Sequence, residues 1–158
     1  MVIDADALTL LAETELKSPS RNWVLTPHPG EAARLLNCDT IDIQANRLSA
    51  AKQIARDRNC ICVLKGAGTL IADQNGNVWL CDEGNPGMAT AGMGDVLSGI
   101  IASLIAEEGD LLKATKAAVW LHAATADRLA LIGCEKSLLA SDIIDGLSHS
   151  IKSITQAK

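Results

Sequence analysis

The chain has 158 residues, 48% of them hydrophobic, and a formal net charge of −5. That length suits one ordinary domain, able to bury roughly 70% of the surface its unfolded chain exposes without a disulfide or metal staple. The acid excess, with no basic stretch interleaved with aromatics, excludes a groove that tracks phosphates and stacks bases.

Other features of the composition set further expectations. No basic patch precedes an apolar segment at the N-terminus, and the apolar runs are cut well before a membrane span, so a soluble, cytoplasmic protein with no membrane partner is expected. Phe and Tyr are absent and Trp23, Trp79 and Trp120 are the only aromatics, so aliphatic side chains and alanine must fill the core. The five cysteines are odd in number and lie mostly inside apolar runs, which reads as reduced, buried thiols rather than a disulfide framework or a zinc site.

In chain order, Met1 to Asp4 reads as the end of a buried strand. Ala7 to Glu15 carries Leu8, Leu11 and Ala12 at helical spacing and is closed by Ser18-Pro19-Ser20. Trp23 to Thr26 is a short strand, and Pro29, placed where a first helical residue tolerates a missing N–H, opens a helix through Leu36. Thr40 to Arg58 reads as one longer amphipathic helix with Ile41, Ala45, Leu48, Ala51 and Ala55 inward and a charged, wet opposite face. Ile61 to Leu64 is the continuous apolar run of a central parallel strand buried on both faces. Leu70–Ala72 and Val78–Leu80 flank Asn75-Gly76, a strong hairpin signal. A largely buried helix follows from Val96, with Gly99, Ala102 and Ser103 leaving room for close packing. Leu111 to Leu131 and Leu139 to Ile154 complete the helices, the latter capped by Ser141 or Asp142. Strands alternating with helices, then a helical tail, make an α/β protein.

Eight of the twelve glycines fall between Gly66 and Gly99, where backbone rather than side chains must approach something closely. Within that stretch, Gly87 to Asp95 is a glycine-rich turn feeding directly into a helix. Unpaired N–H groups at Gly92, Met93 and Gly94, with the helix dipole behind them, make an anion cradle suited to phosphate. A carboxylate at Asp95 repels a phosphate that is merely held, whereas as a base it takes the proton from a hydroxyl attacking that phosphate. Its simpler role is as an N-cap. Neither a P-loop nor a dinucleotide fingerprint occurs. Lys65-Gly-Ala-Gly-Thr69 sits at the carboxyl end of the central strand, where open α/β sheets bind ligands; it also serves as a plain turn before the hairpin. Thr26 to Glu31 lies at another such end, its two prolines stiffening the backbone around His28. His122 and His149 read as structural. Asp4 and Asp6 read first as caps of the following helix and second as oxygen ligands for magnesium. Asp73, Asp82 and Glu83 read as solvated charge.

Four segments in order, Val2–Ala7, Thr26–Ala32, Leu64–Thr69 and Asn85–Gly99, resemble those of the ADP-dependent NAD(P)H-hydrate dehydratases of the ribokinase-like superfamily. The resemblance runs from the first residue to about Ile144. It implies a three-layer α/β/α sandwich with a mostly parallel central sheet, of which residues 1–158 form the C-terminal portion of a single domain. It further implies dehydration of the S epimers of hydrated NADH and NADPH, with ADP as co-substrate and AMP and phosphate released. By motif, Lys65, Gly66, Ala67, Gly68, Thr69 and Gly94 are implied AMP contacts. His28 and Asp95 are implied contacts to the hydrate, Asp95 being the base on its hydroxyl. Magnesium is implied with no assigned ligand, as are a homotetramer and an N-terminal epimerase domain joined upstream. A related small-molecule kinase, of the hydroxyethylthiazole or hydroxymethylpyrimidine type, and an inactive nucleotide-binding fragment are the other readings.

Overall fold

The computed structural model describes residues 1–14 and 22–156. Five strands form one sheet in the order of the chain: β1 (Val2–Ile3), β2 (Val24–Leu25), β3 (Ile61–Leu64), β4 (Thr69–Ala72) and β5 (Val78–Cys81). The first three run parallel, and β4 and β5 complete an antiparallel meander beside β3. A parallel neighbour requires a crossover, supplied here by helices, whereas the antiparallel pair needs only a turn.

The alternation of side chains along β3 explains its unbroken apolar run. Cys62 and Leu64 point to one layer with Ile3, Leu25 and Ala72, and Ile61 and Val63 point to the other with Val24, Ile71 and Cys81. Four helices cover the first face: α1 (Asp6–Glu13), α2 (Pro29–Leu36), α3 (Thr40–Ala45) and α4 (Arg47–Asp57). The other face is covered by α5 (Met93–Glu108) and α6 (Leu111–Ile132), with α7 (Ala140–Gln156) packed outside α6. The largest fully buried side chains are Leu, Ile, Val and Thr, as a composition without Phe or Tyr requires. No helix among the described residues is long and apolar enough to cross a membrane.

The sequence expectations hold for β3 and α2 at their stated bounds and for the hairpin at Asn75-Gly76. The single helix expected over Thr40 to Arg58 is instead two. The chain turns at Asn46 (φ −145°, ψ 60°), whose Oδ1 accepts from the Ser49 N–H and caps α4. The bend rotates the faces, so Ile43, Ala50, Ala51, Ile54 and Ala55 are buried while Ile41, Ala45 and Leu48 are exposed. Gly99, Ala102 and Ser103 are exposed too, and a Cβ on Gly99 would meet nothing within 4 Å, so they mark no close packing. In α7 neither Ser141 nor Asp142 is the cap residue itself; Asp142 reaches back to accept from the Leu139 N–H at 2.8 Å. The Ser18-Pro19-Ser20 stop lies outside the described residues.

Asp73 is not solvated charge but the organiser of the β4–β5 turn, only 5% exposed. Its carboxylate accepts from the backbone N–H groups of Asn75 and Asn77 and from the Asn77 side-chain amide, each at 2.9 Å. Burial pushes this carboxyl up, and those hydrogen bonds to its charged form outweigh the effect and hold it below its ordinary range. Replacement by alanine orphans the donors, and Asp73→Ala is expected to destabilise the fold by about 2 kcal/mol, measured by urea unfolding. An unchanged midpoint would show that solvent replaces the carboxylate without cost.

Three cysteines, Cys60, Cys62 and Cys81, are buried, Cys38 and Cys134 are exposed, and all five are free thiols. Burial pushes the Cys60 thiol up to about 12, which makes it an inert filler rather than a nucleophile.

Candidate active site

The carboxyl ends of β1, β2 and β3 deliver Asp4, the segment Thr26 to Glu31, and Lys65 to one edge of the sheet. There the chain builds a polar cluster whose members are distant in sequence. Lys65 Nζ lies 2.8 Å from Asp4 Oδ1 and 3.9 Å from Glu31 Oε2. Asp4 Oδ2 accepts from the Ser98 hydroxyl at 2.8 Å. Burial pushes the Asp4 carboxyl up, but the Lys65 ammonium and the Ser98 hydroxyl outweigh it, and the group titrates below its ordinary value of 3.8. The expected helix cap at Asp4 is therefore corrected: the N-cap of α1 is Ala5, without a side-chain cap, and Asp4 turns away to Lys65. Ala5 itself holds φ 49°, a conformation that an L side chain adopts at a cost of about 1–3 kcal/mol and that aims Asp4 at the cluster.

His28 is the N-cap of α2. Its Nδ1 accepts from the Gly30 N–H at 3.0 Å and the Glu31 N–H at 3.4 Å, and Glu31 Oε2 accepts in return from the His28 N–H at 2.7 Å. This reciprocal capping box fixes the ring while leaving its side chain 53% exposed. The ring thus caps α2 and still presents an exposed edge. Glu31, only 7% exposed, is the link to Lys65 that residue-type reasoning passes over.

On the other side of Lys65 is the start of α5. The turn is capped by Gly92 in the left-handed region (φ 86°) with no side-chain cap, so Asp95 is not the N-cap. Asp95 sits in the first turn, exposed, and its carboxylate has no hydrogen-bond partner among the described residues. The cradle expected at Gly92, Met93 and Gly94 is corrected at its middle member, because the Met93 N–H donates to the Thr90 carbonyl at 3.4 Å; the N–H groups of Gly94 and Asp95 make no hydrogen bond among the described residues, as a helix start leaves them. A Cβ on Gly94 would lie 3.2 Å from Lys65 Nζ and 3.6 Å from Asp4 Oδ2, so the helix start and the charged cluster are in direct contact. Met93 is buried at only 5% exposure, and its side chain packs into the core beneath the cradle.

Beside this junction opens a cleft of about 630 Å³. Lys65, Gly66, Ala67, Gly68, Thr69 and Gly94 all line it, together with the loop around Asn85 and the α6 residues Val119 and His122. All six residues singled out as nucleotide contacts thus share one cavity, whereas His28 and Asp95 stand outside it. Asp82 and Glu83 are exposed as expected yet face the cleft mouth. Asp127 holds that mouth, accepting from the Gly84 N–H at 2.7 Å and the Asn85 side-chain amide at 2.8 Å. His122 is buried, and that burial lowers its pKa to about 4, so the ring is neutral; His149 is exposed.

The donor set does not fit a resident magnesium site. Among the described residues no three His, Cys, Asp or Glu side chains gather as a cage, and Asp4 and Glu31 already spend their oxygens on Lys65, Ser98 and His28.

A sheet layered between helices, with a glycine turn feeding α5 beside a cleft at the strands' carboxyl ends, is the ribokinase-like architecture. The family described as NAD(P)H-hydrate dehydratase matches residues 1–148, and the chain belongs to that family. It is 47% identical over 146 residues to the bifunctional NAD(P)H-hydrate repair enzyme of Coxiella burnetii, a match covering 92% of this chain and 30% of that one. With the ADP-dependent (S)-NAD(P)H-hydrate dehydratase of Neisseria meningitidis the identity is 44%, covering 90% of this chain and 50% of the relative. The crystal structure of the Bacillus subtilis ADP/ATP-dependent NAD(P)H-hydrate dehydratase, co-crystallised with ATP and magnesium, superposes with a TM-score of 0.89. That match has 34% identity and covers 96% of this chain and 55% of that one. The chain thus spans half or less of these curated relatives.

Proposed function

We propose that this site carries out the ADP-dependent dehydration of the S epimers of NADH and NADPH hydrates, releasing AMP and phosphate. The observation that carries the reading is the division of the site: the six residues that the resemblance implies as nucleotide contacts line one cleft, and an exposed carboxylate with no partner among the described residues stands just outside it, one residue beyond Gly94. The cleft takes ADP, with its β-phosphate at the Gly92–Gly94 turn and Lys65. The hydrate lies on the far side, against His28 and Asp95. Asp95 takes the proton of the hydrate's hydroxyl as that oxygen attacks the β-phosphorus, and AMP leaves. The oxygen, now phosphorylated, departs as phosphate while the neighbouring ring carbon gives its proton to that departing phosphate, and the C–H electron pair forms the ring double bond. The free N–H groups of Gly94 and Asp95 stabilise charge developing on the phosphoryl oxygens. Magnesium, which phosphoryl transfer ordinarily uses, would be held by the nucleotide's own oxygens and water.

The same reading takes residues 1–158 as the C-terminal portion of one dehydratase domain, working in a homo-oligomer and, in a longer chain, beside an epimerase domain. The test is to incubate the chain, and the chain extended to the length of its relatives, with S-NADHX, ADP and magnesium. Restored NADH absorbance with stoichiometric AMP is expected. A stable phosphorylated alcohol without elimination would instead make this a hydroxyl kinase, and ADP binding without turnover in both forms would leave a nucleotide-binding module.

A further inference from the structure

We infer that Arg47 is a positioning residue that holds the Gly66–Gly68 loop open as a cradle for the phosphates of the nucleotide, a role that rests on the nucleotide reading above. Arg47 opens α4, on the helical layer opposite the cleft's α5 and α6. Its guanidinium reaches across to the loop after β3. A single nitrogen, Nη2, lies 3.2 Å from the Leu64 carbonyl, 3.4 Å from that of Lys65 and 3.0 Å from that of Gly68.

Carbonyls from both ends of the loop therefore converge on one cation. The complementary groups are left over: the N–H groups of Gly66, Ala67 and Gly68 make no hydrogen bond among the described residues. Successive free N–H groups in a glycine-bent loop form a concavity that binds anions, and all three residues line the cleft. Arg47 forms no ion pair among the described residues, so a full positive charge stands behind the cradle without a neutralising carboxylate. The fit is close. Gly66 has φ 139°, which favours glycine, and a Cβ there would lie 2.5 Å from Arg47 Nη1, so a side chain at this position would push the guanidinium off the loop. Thr69 Oγ1, donating to the Gly66 carbonyl at 3.1 Å, closes the loop from its other end.

A plain strut between α4 and the β3–β4 connection makes the same three hydrogen bonds, so the test separates bracing from phosphate recognition. Calorimetric titration with ADP and with adenosine is done on the wild type and on Arg47→Met and Arg47→Lys, with backbone amide spectra of the wild type. The expected result is that ADP binding weakens about tenfold in Arg47→Met while adenosine binding is unchanged. Lysine restores only part, because its ammonium, although it carries three donors, ends one bond short of the place from which Nη2 meets all three carbonyls. In the wild type the Gly66, Ala67 and Gly68 amide resonances shift on saturation with ADP and not with adenosine. Undiminished ADP binding by Arg47→Met, equal losses for ADP and adenosine, or three unmoved amides in an ADP-saturated wild type would each overturn the inference. If Arg47→Met fails to fold, the wild-type amide titration decides alone. A wild type that binds no ADP overturns the nucleotide reading itself, and this inference with it.

Discussion

Replacing Asp95 by asparagine is expected to lower ADP-dependent restoration of NADH by on the order of 10³-fold while ADP affinity stays within about twofold. The substitution keeps the shape of the side chain and removes its capacity to take a proton. Asp95 is exposed and has no partner among the described residues, so the folded state loses at most its favourable place near the α5 dipole, less than about 1 kcal/mol. Single-turnover kinetics with saturating ADP isolates the chemical step. Wild-type rates in Asp95→Asn would remove the base from the mechanism, and a parallel loss of ADP affinity would make Asp95 a binding residue.

The second large effect is expected at Lys65. Lys65→Met takes away the ammonium shared by Asp4 and Glu31, whose side chains are 13% and 8% exposed, and leaves both carboxylates without it, that of Asp4 beside Gly94. The expected cost in stability is about 2 kcal/mol, below that of a fully buried pair because the lysine side chain keeps 20% exposure. ADP binding is expected to fall at least about tenfold, since a charge-assisted contact is lost and a negative site takes its place.

The pH dependence gives this prediction its signature. In the wild type Asp4 titrates below 3.8, so its contribution is present above that pH and lost as the pH falls through the lower, folded value. Without Lys65 the upward push of burial is no longer outweighed, the Asp4 carboxyl moves up, and protonating it relieves the variant. The stability gap between wild type and variant is therefore largest at neutral pH and narrows in acid. Urea unfolding across that range measures it, and a gap constant with pH would show that the loss is one of packing rather than charge.

Much of this arrangement is legible from local pattern. The apolar run of β3, Pro29 at the head of α2 and Asn75-Gly76 each state a backbone preference that their surroundings do not contest. The glycine turn before α5 is likewise visible, because free N–H groups follow from where a helix begins. What local pattern does not carry is pairing at a distance. Asp4 meets Lys65 across 61 residues and Ser98 across 94, and no periodicity in the chain encodes either contact. An aspartate ahead of a helix looks like a cap until the strand order places a lysine beside it. Arg47 is hidden in the same way: on a helix read from Thr40 to Arg58 it is one more charge on the wet face, and only the bend at Asn46 brings it to the head of a new helix. Asp73 looks solvated because the turn that encloses it forms from its own hydrogen bonds.

The Asp4–Lys65 pair also bears on the order in which the molecule acquires its properties. β1 and β3 are not neighbours; β2 lies between them, bonded in parallel to both. The two charges meet only once the middle strand has been inserted and both helical crossovers are closed, and such long loops are slow to close. On the proposed nucleotide reading, phosphate binding needs all three strands docked, so it is expected to be lost when β1 opens. A nucleotide bound there would, on that reading, add its binding free energy to the docking of β1, at the edge of the described sheet.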